Sequence, residues 1–100
     1  MKPRHITEIR AGLRYDTAAA TLIAGDDWHD GHNFEREGRN RFLYRTAAGR
    51  YFLAYQSTRP GEPDSVSPVN VDVAIAAFDA LRQHRCTWEE AFPGLEIGEA

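Results

Sequence analysis

Cysteine, lysine and methionine are nearly absent from this 100-residue chain, which holds one of each. A lone thiol, Cys86, excludes an internal disulfide and leaves no second thiol for a cysteine-based zinc site. Nowhere do about 20 apolar residues run together, as a membrane-spanning helix requires. Met1-Lys2-Pro3-Arg4-His5 leads into no apolar run of the kind that makes a signal peptide, so the expected location is the cytoplasm. A glycine-rich phosphate cradle is missing too, because Gly25, Gly31 and Gly38 are separated by loop residues and follow no strand-to-helix switch. Ser57, Ser65 and Ser67 lie in a proline-rich stretch and Cys86 precedes a helix start, with no histidine set beside either by a recognisable motif. The chain is therefore expected not to be an enzyme, and no cofactor is expected.

What is present supports one folded domain over residues 1–100. The chain is 42% hydrophobic, has 11% aromatic residues and carries a formal charge of −3, far from the composition of disordered chains. A domain this small buries only about 60–70% of the surface its unfolded form exposes, so its stability should be modest. Eleven of the 12 basic residues are arginine. That bias fits GC-rich coding, and it also fits bidentate or stacked recognition.

Leu13-Arg14-Tyr15 and Ala20-Thr21-Leu22 alternate apolar and polar across Asp16-Thr17-Ala18-Ala19, which predicts a hairpin with Leu13, Tyr15, Ala20 and Leu22 on one face. A second hairpin is predicted from Arg41–Thr46 and Arg50–Gln56, closed by Ala47-Ala48-Gly49. Setting Thr46 against Arg50 places Phe42, Tyr44, Phe52 and Ala54 on one face. Arg41, Leu43, Arg45, Tyr51, Leu53 and Tyr55 share the other. Both faces are apolar, so this hairpin is either covered twice or carries a contact surface. The proline, glycine and serine of residues 57–69 predict a long loop. Val71, Ala74, Ile75, Phe78 and Leu81 then form a helical stripe, with Asn70 as N-cap and Arg82, His84 and Arg85 in the last turn. Thr87-Trp88-Glu89-Glu90 reads as a capping box opening a short helix that Pro93-Gly94 ends. The expected fold is α+β: an antiparallel sheet of about four strands in two hairpins, one main C-terminal helix packed on one face, and a short terminal helix.

Tyr15-Asp16-Thr17 with Thr21-Leu22-Ile23-Ala24, then Leu43-Tyr44-Arg45-Thr46-x-x-Gly49-x-Tyr51-Phe52-Leu53, and the closing Trp88-Glu89-Glu90-Ala91-Phe92 resemble a scattered group of small proteins. These are encoded by bacteria, phages and plasmids, and most have no assigned activity. The resemblance covers roughly residues 13–92 and implies an α+β fold and a link to mobile elements. It implies no mechanism, since its motifs are turn and cap chemistry. The chain departs from the group at Gln56–Gly61, where that group has a more glycine-rich segment.

Two polar constellations stand out. Asp26-Asp27-Trp28-His29-Asp30-Gly31-His32, continued by Glu35 and Glu37, offers nitrogen and oxygen donors at His29, Asp30 and His32. Its spacing matches no zinc signature or calcium loop, and a solvated connection between hairpins is the favoured reading, with no metal assigned. Arg36, Arg39, Arg41, Arg45 and Arg50 are interleaved with Phe42, Tyr44, Tyr51, Phe52 and Tyr55, as on single-strand nucleic-acid platforms. The acidic balance argues against nucleic acid. The expectation is a non-enzymatic interaction module of a bacterial mobile element, in concrete form an inhibitor of a host defence complex of the anti-CRISPR or anti-restriction kind. Its binding residues are Arg41, Leu43, Arg45, Tyr51, Leu53 and Tyr55, and its partner is a larger protein or protein–nucleic-acid complex. A homodimer and a single-strand nucleic-acid binder are the alternatives.

Overall fold

The computed structural model describes residues 2–27 and 38–100. Among the described residues nine short elements follow one another: β1 Thr7–Arg10, β2 Leu13–Asp16, β3 Thr21–Gly25, β4 Arg39–Arg45, β5 Tyr51–Ser57, β6 Ser65–Val69, α1 Val71–Ala80, β7 Gln83–His84 and α2 Trp88–Ala91. The fold is α+β and every strand pair is antiparallel. The finer expectation is corrected: among the described residues seven strands form two sheets, β1-β2 and β6-β5-β4-β3-β7, and the two helices are short.

The centre is the β4–β5 hairpin, formed in the expected register, with Arg41 opposite Tyr55, Leu43 opposite Leu53 and Arg45 opposite Tyr51. Thr46 and Gly49 close it: the Thr46 amide donates to the Arg50 carbonyl at 2.8 Å and the Gly49 amide to the Thr46 carbonyl at 2.9 Å. Gly49 has φ 86°, a left-handed conformation that costs glycine little.

The first expected hairpin is not formed. β2 pairs with β1 across Ala11-Gly12, not with β3, which belongs to the other sheet. Ala11 (φ 53°) and Gly12 (φ 76°) make the two-residue left-handed turn whose twist matches paired strands. The residues between β2 and β3 instead turn the chain from one sheet to the other. Asp16 accepts a hydrogen bond from the Ala18 amide at 2.9 Å and pairs with His5 Nε2 at 2.7 Å. The amide bond, then His5, hold the Asp16 carboxyl below its ordinary pKa. Tyr15, Ala20 and Leu22 do reach one apolar cluster, whereas Leu13 is exposed.

Two apolar clusters sandwich the central hairpin. Ile6 and Tyr15 close over Phe42, Tyr44, Phe52, Ala54 and Val66 on one side, with Tyr44 stacked on Phe52 at 5.2 Å and Tyr15 meeting Phe52 edge-on at 5.4 Å. On the other side Ala74, Ala77, Phe78, Leu81, Ala91 and Phe92 cover Ile23, Ala24, Leu43, Tyr51 and Leu53. A register shift between Leu22 and Ala24 lets the neighbours Ile23 and Ala24 both enter this second cluster, while Leu22 packs against the first.

The long loop predicted over residues 57–69 is shortened by β6, which pairs with β5 along Ser65–Val69. Pro68 is tolerated because β6 is the sheet edge, where a missing N–H breaks no ladder. Asn70 caps α1, its side chain accepting from the Val73 amide at 2.9 Å. The helix ends at Ala80, so Arg82, His84 and Arg85 lie beyond it and not in its last turn. Leu81 turns into extended backbone with its side chain fully buried, and Gln83–His84 pairs with β3. His84 stacks on Phe78 at 3.8 Å, and its Nε2–H donates to the Phe78 carbonyl at 2.6 Å, satisfying a carbonyl the helix end leaves free. α2 carries the expected capping box: Thr87 Oγ1 accepts from the Glu90 amide at 3.2 Å, and the Thr87 amide donates to Glu90 Oε1 at 3.0 Å. Among the described residues no helix is long and apolar enough to cross a membrane.

Candidate functional site

The six expected binding residues do not form one surface. Leu43, Leu53 and Tyr51 are buried under α1 and α2, and the Tyr51 hydroxyl donates to the Ala91 carbonyl at 2.6 Å. The hairpin is thus covered twice, and an exposed aromatic face is corrected to a core face. Apolar area of this kind stabilises far more inside than against water, and α1 and α2 present matching apolar stripes within reach. Phe42, Tyr44 and Phe52 are buried on the opposite side, so the stacking platform expected for single strands loses its rings. Among the described aromatic residues only Tyr55 and Trp88 are partly exposed.

Arg41, Tyr55 and Arg45 keep access to solvent, at opposite ends of the hairpin. Arg41 and Tyr55 are cross-strand neighbours that line a cavity of about 520 Å³ with Asp26, Asn40, Glu62 and Ser65. Arg45 lies four residues further along β4, roughly 13 Å at strand rise, and lines a separate groove at the turn.

The Arg41 end is held by buried polar side chains. Asn40 and Gln56 face each other across β4–β5 at positions where the alternation of Phe42, Tyr44, Phe52 and Ala54 would call for apolar residues. Asn40 Nδ2 donates to Asp26 Oδ1 at 2.8 Å, and the same oxygen accepts the Arg41 amide at 2.9 Å. Gln56 ties down the N-terminal segment: its Oε1 accepts the Arg4 amide and its Nε2 donates to the Lys2 carbonyl at 3.0 Å. Glu62 receives Arg39 in two bonds, at 2.9 and 3.0 Å. The Arg39 guanidinium, helped by Arg59, holds the Glu62 carboxyl below the usual carboxylate range. The rim therefore mixes charges of both signs around one half-buried ring, Tyr55.

Asp26, Asn40, Gln56 and Glu62 were absent from the expected site. Asn40 and Gln56 carried a legible signal, two polar residues continuing an otherwise apolar strand face. Asp26, which opens the polar Asp26–His32 stretch in the sequence, anchors the start of β4. Its neighbour Asp27 pairs with Arg85 at 2.6 Å. The candidate ligands His29, Asp30 and His32, and Arg36 of the arginine series, lie outside the described residues. Among the described residues no group of three metal-ligating side chains occurs. Cys86 is half-buried at the junction before α2, and burial, with Glu90 adding to it, pushes its thiol pKa up, away from a reactive thiolate.

Comparison with protein-family models, with curated proteins and with solved structures finds no match to this chain.

Proposed function

We propose that the protein is a non-enzymatic binding module that grips a larger protein, or a protein–nucleic-acid complex, at the Arg41–Tyr55 end of its sheet. The observation that carries this reading is the cavity itself: one exposed arginine and one half-buried tyrosine, side by side, on a rim anchored by Asn40, Gln56 and the Arg39–Glu62 pair. Arginine and tyrosine are the side chains that most often dominate binding energy, and a rigid strand supplies them without loop-ordering cost. The mobile-element origin, and the inhibition of a host defence complex as the concrete role, rest on the resemblance of the hairpin and cap motifs.

The test is affinity for the partner retained from the native host, measured with the wild type and with Arg41→Ala and Tyr55→Ala. Each variant should keep its circular dichroism spectrum and bind at least about tenfold more weakly, the loss typical of a dominant contact residue. Unchanged affinity in the Arg41→Ala, Tyr55→Ala double variant would remove the proposal. Binding of a labelled oligonucleotide at low salt, with no partner protein present, would transfer the reading to nucleic acid. A concentration-dependent dimer in sedimentation, abolished by the same variants, would transfer it to self-association.

A further inference from the structure

The opposite end of the hairpin carries two arginines whose side chains have no partner among the described residues. Arg45 Nε–H is enclosed and donates to no acceptor, and the guanidinium lies against the turn, with Nη2 3.4 Å from where a Cβ on Gly49 would sit. Arg50 is exposed, and its hydrogen bonds run from its backbone, the amide donating to Thr46 Oγ1 at 3.1 Å and the carbonyl accepting from the Thr46 amide at 2.8 Å. Several other arginines face carboxylates: Arg4 meets Asp64, Arg10 meets Glu8, and Arg85 meets Asp27. Arg45 and Arg50 line one groove of about 600 Å³, and no aspartate or glutamate is among the described residues that line it. In a chain of net charge −3 this groove concentrates unneutralised positive charge. Its far wall is apolar, formed by Val71 and Leu95, which are 38% and 42% exposed.

Neither guanidinium is neutralised by a carboxylate of the described residues, so an incoming oxyanion in the groove gains charge-assisted hydrogen bonds without displacing an ion pair. Guanidinium forks match planar or tetrahedral oxyanions. Two forks from two residues need more acceptor oxygens than one carboxylate supplies, whereas a phosphate monoester offers three and carries close to two charges. The apolar wall suits a hydrophobic or aromatic body attached to that group. We propose that this groove binds a small phosphate monoester bearing an apolar or aromatic body, its phosphate held between Arg45 and Arg50. The site is separate from the Arg41–Tyr55 cavity and does not depend on the role given to that cavity.

The experiment is an amide chemical-shift titration at low ionic strength with adenosine 5′-monophosphate, inorganic phosphate, adenosine and a short single-stranded oligonucleotide. The monophosphate should give saturable shifts at residues 45–51, 69–71 and 94–95, with inorganic phosphate weaker at the same residues and adenosine silent. Arg50→Gln, at an exposed position, should weaken the monophosphate roughly tenfold, as loss of one charge-assisted contact predicts. Arg45→Gln should do the same, and Arg41→Gln should leave it unchanged. No saturable shift at the groove with any phosphate probe would overturn the proposal. So would equal binding of adenosine, or binding of the oligonucleotide with none of the monophosphate, which would mark a strand-backbone contact.

Discussion

Phe52→Ala should lower the unfolding free energy by about 3–5 kcal/mol, the cost of emptying a buried aromatic site. Phe52 is fully buried, stacks on Tyr44 and meets Tyr15 edge-on, so its ring joins the five-stranded sheet to the β1–β2 ribbon. Truncation leaves a void in the cluster that Ile6 and Tyr15 close over the sheet. A domain of this size has only about 5–15 kcal/mol in total, so the variant should sit near the edge of folding. Urea denaturation followed by tryptophan fluorescence and circular dichroism measures the loss. A change below about 1 kcal/mol, the level of an ordinary surface substitution or slightly above it, would mean that the ribbon does not pack on this face.

Leu43→Ala should cost about 2–5 kcal/mol, because the side chain is fully buried opposite Leu53 and beneath the helices. Its neighbour two residues earlier on the same face gives the contrast. Arg41 is exposed, and Arg41→Ala should change stability by no more than about 0.5 kcal/mol. Denaturant titration of the two variants side by side therefore separates a core face from a contact face. If both changes were small, Leu43 would belong to a surface and the binding face would extend along the whole strand.

The parts of the fold that local chemistry decides were legible in the sequence. Thr46, Gly49 and the alternation from Phe42 to Ala54 all lie within a short stretch, and together they specify the β4–β5 register down to the pairing of Arg45 with Tyr51. The two caps, Asn70 and Thr87, are equally local. Partner choice is not. Leu13–Tyr15 has the same alternation whether it pairs forward with β3 or back with β1, and only the left-handed Ala11-Gly12 turn, at a residue type that rarely adopts it, decides. Pro68 argues against a strand unless that strand is an edge, and sheet order is a property of the whole chain.

The candidate site was legible in half. Arg41 and Tyr55 were read correctly as neighbours, yet the same alternation carried Leu43, Tyr51 and Leu53 with them. Whether a two-sided apolar hairpin is covered once or twice depends on where the ribbon and the helices land, and here they land on opposite faces. The helix stripe also ended earlier than its basic residues suggest. The chain leaves the helix at Leu81, and His84 beyond it turns back to satisfy the Phe78 carbonyl.

The central claim is that the hairpin is enclosed on both faces and that its exposed side chains stand at its two ends. Nuclear Overhauser effects between side chains test it most directly. Leu43 and Leu53 methyls should show cross-peaks to the Phe78 and Phe92 rings, the Phe52 ring should show them to Tyr15, and a soluble paramagnetic agent should spare all of these while broadening Arg41 and Arg50. Missing cross-peaks to the helices, with Leu43 and Leu53 methyls broadened by the agent, would contradict it.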